Sequence, residues 1–506
     1  MTFTTIVLYT VGALLTVVAY LVIKVWLAIR VPRQLTHLPI LPFFDQLRIL
    51  SNEPTVKRVN ESTEAIVNNP DCHLMFAFGE YILVLKNPTL FKESFEKSAI
   101  FDKYDMAETE PDGLTAKFVG NNVVFARTTG TWKMHRRILN PAFNRGFDPN
   151  IFGDGAKIAI KKILDAPQNT LEAWPLMTEV GLNGLTRFAF GFQPGDVGQR
   201  LLELFMQVTE AILNPLYIML AGIDRSWNPM RRADFKRVDE MEMLLYQMVE
   251  QKRKEASSVG GFDKVPNPDV LTYLVEAYTN SDSSDIQGGQ QFDAAMLRGD
   301  LAAIMIAGSD TSSNALNSAI FLLATHPEIQ DKARKHVFEV LGKTSEDIVP
   351  TSEEQKQLTY LTQIIKESMR LYPPTLQASW RRLTEDYKLG DYFIPKGTLL
   401  LHNFWLAHRN PQFWGDDAAE FRPDRFEDDT KDSFSSTKNP YWTPFGYGLR
   451  VCLGMQFAYM EIRVVLAMLL RRFEWKLADS HPGTLEHTSS ALPRVVTNQI
   501  TFTPRY

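Results

Sequence analysis

Cysteine is the scarcest informative residue in this chain: Cys72 and Cys452 are the two among 506 positions. Two thiols can close at most one disulfide, which excludes a disulfide-stapled extracellular scaffold. There is no H-E-x-x-H, no C-x-x-C and no G-x-x-x-x-G-K, so zinc hydrolysis and phosphate-loop nucleotide chemistry lack their residues. A charge excess is missing too: 54 Lys and Arg against 59 Asp and Glu leave −5, which gives no electrostatic case for nucleic acid. No internal repeat and no long low-complexity tract occurs. The one polar, Gly/Ser-rich stretch, Ser281 to Gln291, reads as a linker. What remains is hydrophobic content of 45%, ample for an extensive core. The length fits two or more domains or a single large one.

Against that background Cys452 stands out. It sits in Phe445-Gly-Tyr-Gly-Leu-Arg-Val-Cys-Leu-Gly454, a glycine-studded loop followed by an apolar, helix-forming run from Met455 to Leu470. Gly446, Gly448 and Gly454 would let backbone approach a flat ligand and take positive φ. A helix starting just past Cys452 would aim its N–H groups at the sulfur and favour the thiolate. Arg450 is placed to meet a carboxylate by a charge-assisted pair. The plainer alternative is a buried free cysteine packing as a small hydrophobe. A dinucleotide fingerprint on Gly446-x-Gly448 fails, because the third glycine position is Val451.

Two further segments carry chemistry. Trp132-Lys-Met-His-Arg-Arg137, continuing through Leu139 to Pro141-Ala-Phe143, brings Trp132 and Arg136 together on a helix, which an amphipathic surface helix would also do. Residues Ala294 to Thr325 read as one long helix, apolar nearly all round and so buried, ending before Pro327. Its middle, Ala307-Gly-Ser-Asp-Thr-Ser-Ser-Asn314, is polar where burial is costly, and Gly308 weakens the helix there by about 1 kcal/mol. Two broken rules together mark a functional site; a polar helix–helix contact is the alternative. Glu367-Ser-Met-Arg370 follows on a helix from Thr359 to Leu371, and alone an i, i+3 pair says little.

Taken together, F-x-x-G-x-R-x-C-x-G, W-x-x-H-R-R, [AG]-G-x-[DE]-T-[TS], E-x-x-R and Phe421-Arg-Pro-Asp-Arg-Phe426 resemble, in order, the signatures of the cytochrome P450 family, and the fungal microsomal members in general character. The resemblance implies a mainly α fold with a small β region and haem b, with Cys452 as the iron's axial thiolate. It implies that Trp132, Arg136 and Arg450 hold haem propionates, with Phe445, Gly446, Gly448 and Gly454 shaping the loop. Ala307 and Gly308 would make room for O2, Thr311 would hydrogen-bond it, and Asp310 would feed protons inward. Lys133 and Arg137 would face the proximal surface. Glu367, Arg370 and Arg425 would form a buried network, with Asp424 in place of the family's Glu. The family often places a propionate arginine where this chain has Trp380; Arg381, one step later, is the candidate. Leu201 to Met219 and Asp234 to Lys254 would form the substrate-access lid.

The remaining segments set the context. Ile6 to Ile23 is uncharged and largely apolar; extended to Ile29 it spans ~36 Å as a helix, enough to cross a bilayer. No basic stretch precedes it, which argues against a cleaved signal peptide. Lys24, Arg30 and Arg33 would put the following chain in the cytoplasm. The expected organisation is a membrane anchor over 1–30, a proline-containing connector over 31–50 and a catalytic domain over 51–506. Tyr81 to Leu85 reads as a strand, Phe101 to Leu114 as a loop, Leu171 to about Lys254 as helical throughout, and Tyr387 to Leu401 as a small sheet. The sequon Asn60-Glu-Ser62 is expected to stay unmodified. The resemblance implies monooxygenation of a steroid, terpenoid or other secondary metabolite, or fatty acid at the endoplasmic reticulum membrane. Electrons would come from NADPH through a partner reductase, with cytochrome b5 as a further partner. A haem-thiolate isomerase or dehydratase, and a non-catalytic haem protein, are the alternatives.

Overall fold

The computed structural model describes residues 30–50, 55–77, 79–105, 110–191, 196–212, 221–280, 293–428, 441–488 and 494–505, together with Thr16, Glu108, Asn214, Tyr217 and Asn439. The expected anchor and the Ser281–Gln291 linker lie outside the described residues. Among the described residues no helix is long and apolar enough to cross a membrane.

The helices that build the interior are α1 (Trp132–Asn144), α2 (Asn150–Asp165), α3 (Ala173–Phe190), α4 (Asp196–Ile212), α5 (Arg232–Val259), α6 (Ala294–Thr325), α7 (Thr359–Leu371) and α8 (Met455–Arg472). The central one is α6, with the bounds the sequence predicts. Asp293 caps it by accepting the Met296 N–H, and Pro327 follows its end and opens the next helix. Along most of its length α6 is buried on every side. It packs directly on α3, and Gly299 permits its closest approach to other backbone. A Cβ there would lie 2.5 Å from the Val119 carbonyl oxygen and 2.7 Å from that of Asn121. α7 and α8 close the other side of the same core.

The strands are β1 (Cys72–Ala77), β2 (Glu80–Leu85), β3 (Phe101–Lys103), β4 (Thr170–Glu172), β5 (Gln377–Leu383), β6 (Tyr387–Leu389), β7 (Tyr392–Ile394), β8 (Leu399–Asn403), β9 (Phe473–Leu477) and β10 (Gln499–Pro504). Five of them make a sheet in the order β1-β2-β8-β5-β3, with β2 and β8 parallel. Three more form β4-β10-β9. Residues 39–41 lie on the sheet's edge, where Leu41 donates to the Leu74 carbonyl at 2.8 Å and Leu74 to that of Pro39 at 2.7 Å.

Two expectations are corrected. Phe101–Lys103 is a strand and a helix begins at Leu114, so the polar composition of 101–114 conceals a sheet edge. Leu171 belongs to β4, paired with Ile500 far along the chain, a partnership no local pattern carries. Asn60 of the sequon is buried, its amide donating to the Val56 carbonyl and accepting from Asn403. Its burial leaves no room for a glycan on the folded chain.

Candidate active site

Cys452 opens onto an internal cavity of about 320 Å³, walled by α1, α3, α6 and the loop before α8. The loop reverses tightly: Gly446 and Gly448 adopt φ of 72° and 69°, the left-handed region that favours glycine. The Cys452 N–H then reaches the Phe445 carbonyl at 2.9 Å, and Phe445 packs on Trp442 and Tyr459. Gly454 differs from expectation, with φ of −85°. Its backbone lies close to the sulfur and favours the charged form. In the protein alone, burial outweighs that backbone and the nearby Arg136 and pushes the Cys452 thiol up, opposite to the expected lowering.

At one side of the cavity three cations, Arg136, Arg450 and Lys103, line the wall beside Trp132, with Arg381 behind them. The Arg450 guanidinium lies 4.7 Å from the Trp132 ring centre, and that of Arg136 at 5.9 Å. Arg450 donates one Nη2 bond to the Val124 carbonyl at 3.0 Å and leaves Nη1 without a partner. Arg381 is the cross-strand partner of Lys103. A register shift in β5 between Ala378 and Arg381 accompanies the one-residue offset from the family pattern. Arg381 is fully buried while Trp380 is only partly so. Arg381 does not reach the cavity wall itself; its Nη1 binds the Phe101 carbonyl at 2.7 Å, while Nε and Nη2 are unpartnered.

Burial holds Arg136, Arg450 and Lys103 below their ordinary values, and neighbouring cations lower Arg450, at about 9, and Lys103 further. Burial brings Arg381 to about 10, opposed by Asp102. Asp102 is already saturated by Thr128, Thr129 and Lys103. Orphaned guanidinium nitrogens among crowded cations fit an anionic group such as a haem carboxylate. Lys103 was not singled out from sequence, since a lysine in a polar stretch carries no signal of the strand that turns it inward.

On the α6 side, Ala303, Ile304, Ala307, Gly308, Thr311 and Ser312 line the cavity. The Thr311 hydroxyl donates to the Ala307 carbonyl at 2.5 Å. Ala307 is open to the cavity, but the space Gly308 leaves is filled by Leu185 of α3, whose Cδ1 would be 2.7 Å from an added Cβ. Asp310 is absent from the cavity wall. Burial pushes its carboxyl up, opposed by Arg494 and by Ser309, whose hydroxyl is 3.4 Å away. It is therefore placed behind the wall, with an acid's proton more readily retained than at the surface.

Two buried clusters fix the walls. His135 of α1 meets Asp300 of α6 at 2.7 Å with both side chains fully buried, and Asp300 also accepts the Val123 N–H. This pair ties the helix of Trp132 and Arg136 to α6; His135 was the residue of that motif's W-x-x-H-R-R core given no role from sequence. The Glu367 network forms as expected. Glu367 accepts two bonds from Arg370 at 2.7 and 2.8 Å and one from Arg425 at 3.3 Å. Arg370 further donates to the His408, Ala418 and Glu420 carbonyls. Asp424 takes no part and pairs with Lys332 at the surface. Lys133 and Arg137 are exposed.

A family model described as Cytochrome P450 matches residues 67–502. Among curated proteins, Cytochrome P450 72A11 of Arabidopsis thaliana is 30% identical over 69% of this chain and 67% of its own length. Echinocystic acid 23-monooxygenase of Saponaria officinalis is 28% identical over 89% of this chain and 83% of its own. For 11-oxo-beta-amyrin 30-oxidase of Medicago truncatula the figures are 28%, 79% and 74%. These are plant proteins, so the expected likeness to fungal members finds no support among them. The chain belongs to the cytochrome P450 family of haem-thiolate monooxygenases.

Proposed function

We propose that this protein hydroxylates a lipophilic terpenoid at the endoplasmic reticulum membrane, drawing electrons from an NADPH-dependent reductase, with cytochrome b5 as an auxiliary donor. The observation that carries the substrate class is the cavity wall. Away from the cationic side it is mainly hydrocarbon, supplied by Val123, Leu185, Ala303, Ile304, Ala307 and Pro374, with the uncharged hydroxyls of Thr311, Ser312 and Thr375 among them. Such a wall binds by burying apolar surface and offers no charged anchor, which suits a rigid hydrocarbon skeleton better than a fatty acid carboxylate. The relatives named for echinocystic acid and 11-oxo-beta-amyrin point the same way.

In this reading Cys452 supplies the thiolate, and bound haem supplies activation of O2, aided by the electron density that ligand donates. Arg450, Arg136, Trp132 and Lys103 hold its carboxylates, with Arg381 adding field from behind. Thr311 presents a hydroxyl to the oxygen side of the cavity, and Asp310 supplies protons from behind the wall. The anchor over residues 1–30 holds the catalytic part at the membrane where such substrates dissolve.

The experiment is a panel of terpenoids, steroids and fatty acids offered to the reconstituted protein and reductase in membranes. Spin-state shift and product mass are read, with Thr311→Ala in parallel. A terpenoid should give the spin shift and a product heavier by one oxygen, only with NADPH. Thr311→Ala should bind it equally but release peroxide in place of most product. A fatty acid as sole substrate, product without the reductase, or unchanged coupling in Thr311→Ala would overturn the corresponding part.

A further inference from the structure

A second, smaller cavity of about 20 Å³ lies between α3, α4, α5 and α6. Phe190 of α3, Phe205 of α4, Leu245 of α5 and Met305 of α6 wall it, and all are buried. Its polar lining among the described residues is Thr186 and Arg298. The Thr186 hydroxyl is spent on the Leu182 and Asn183 carbonyls of its own helix, at 2.8 and 3.1 Å. Arg298 donates from Nη1 to Glu242 at 2.7 Å and keeps one unpaired buried nitrogen, Nε. A held water needs roughly two to four polar partners, more than a single free donor supplies. Apolar cavities of this kind stay dry and take apolar guests such as xenon.

The small cavity shares its inner wall with the cavity of Cys452. On α3, Thr186 lines the small space and its neighbour Leu185 the large one. On α6, Ala302 and Met305 line the small space, and Ala303 and Ile304 the large one. One layer of side chains therefore separates them. Within that layer the end of Leu185 lies against α6, in the space that Gly308 leaves. Such an end moves by rotamer change, without displacing backbone. On the outer side, Leu245 and Arg298 also wall a pocket of about 10 Å³ beside the exposed Tyr246. The three spaces thus run in series, from the surface between α5 and α6 to the cavity that holds Thr311.

We propose that the cavity between α3, α4, α5 and α6 is a holding site for dioxygen, which passes from it to the reaction space beside Leu185. The proposal rests on the monooxygenase reading, since that reaction consumes O2. Size selects the guest: a terpenoid needs a pocket of about 300 Å³ or more, so this space admits small molecules and excludes the substrate. An apolar diatomic gains by leaving water for such a wall, whereas an ion or an unbonded water loses. Oxygen then enters while substrate occupies the large cavity, because it arrives through the wall at Leu185.

Xenon is the probe, being apolar, compact and visible by anomalous scattering. Crystals of the haem-loaded protein under xenon pressure should show a xenon atom among Phe190, Phe205, Leu245 and Met305. Ala302→Leu adds bulk there from α6 and should lose that atom. The second reading follows a light flash on the reduced, carbon monoxide-bound protein. Return of the gas from solution should be severalfold slower in Ala302→Leu, with the carbon monoxide band itself unchanged. Neither reading uses substrate or reductase, so a wrong substrate assignment and a failure of this proposal give different results. Parent crystals without xenon in the cavity, xenon retained in Ala302→Leu, or an unchanged rate of return each overturn it. If Ala302→Leu does not load haem, Leu245→Phe, which fills the cavity from α5, decides by the same two readings.

Discussion

Three imidazoles, those of His73, His408 and His487, are buried close to cations. Burial first, and then Lys86, Arg370 or Arg409, lowers each from 6.5 to about 3. The neutral form of His408 is also built into the hydrogen bonding, because its Nε2 accepts the Thr443 N–H. A group with a depressed folded value binds protons more readily unfolded. Its contribution is therefore complete above pH 6.5 and lost as pH falls toward 3. Glu461, raised from 4.5 to about 8, has the opposite sign and gains as pH falls through that window. Three groups outweigh one. Each imidazole is worth about 1.4 kcal/mol per pH unit once below its unfolded value, and Glu461 the same below its folded one. The melting temperature should therefore fall between pH 6.5 and 5, above the range where ordinary carboxylates titrate. A flat or rising profile there would mean these imidazoles are not held neutral by the fold.

The residue scale also shows what the sequence could and could not reveal. Cys452, Trp132, Arg136, Arg450 and Thr311 were legible because fixed spacings recur with them, and the structure gathers all five on one cavity. Lys103 was not. Its importance comes from being turned inward by β3, which is a tertiary fact. Arg381 was legible only with its one-residue offset, which a bulge-like register shift in β5 accompanies.

At the scale of elements, α6, α7 and α8 were the most readable parts of the chain. Each is long, periodic or apolar; α6 ends before Pro327 and α7 before Pro373, while α8 passes directly into β9. The short strands β3 and β4 were missed, because three-residue strands are specified by partners distant in sequence. What α6 needs from its neighbours is closeness, and Gly299 grants it. Backbone oxygens, unlike side-chain ends, cannot rotate away from an added methyl group. Gly299→Ala should therefore destabilise the fold by about 1–3 kcal/mol, read as a lowered denaturant midpoint with an unchanged slope. Gly308→Ala meets only the movable end of Leu185, so its cost should be smaller. Equal costs at the two positions would refute the backbone-contact account of Gly299.

At the scale of the molecule, the helical core and the five-stranded sheet hold two sets of groups on one cavity. α6 brings the hydroxyls of Thr311 and Ser312, and the loop before α8 brings the sulfur of Cys452. The Glu367–Arg370–Arg425 network and the His135–Asp300 pair hold those elements in register. The account depends most on the sulfur, since without it the cationic side and the α6 groups would surround an iron of different chemistry. The direct measurement is the absorption of the reduced, carbon monoxide-bound protein, with Cys452→Ser beside it. The parent should show the red-shifted band of a thiolate-bound haem, and Cys452→Ser should lose that band while Cys72→Ser keeps it. Retention of the band in Cys452→Ser would contradict the assignment of the iron to this cysteine.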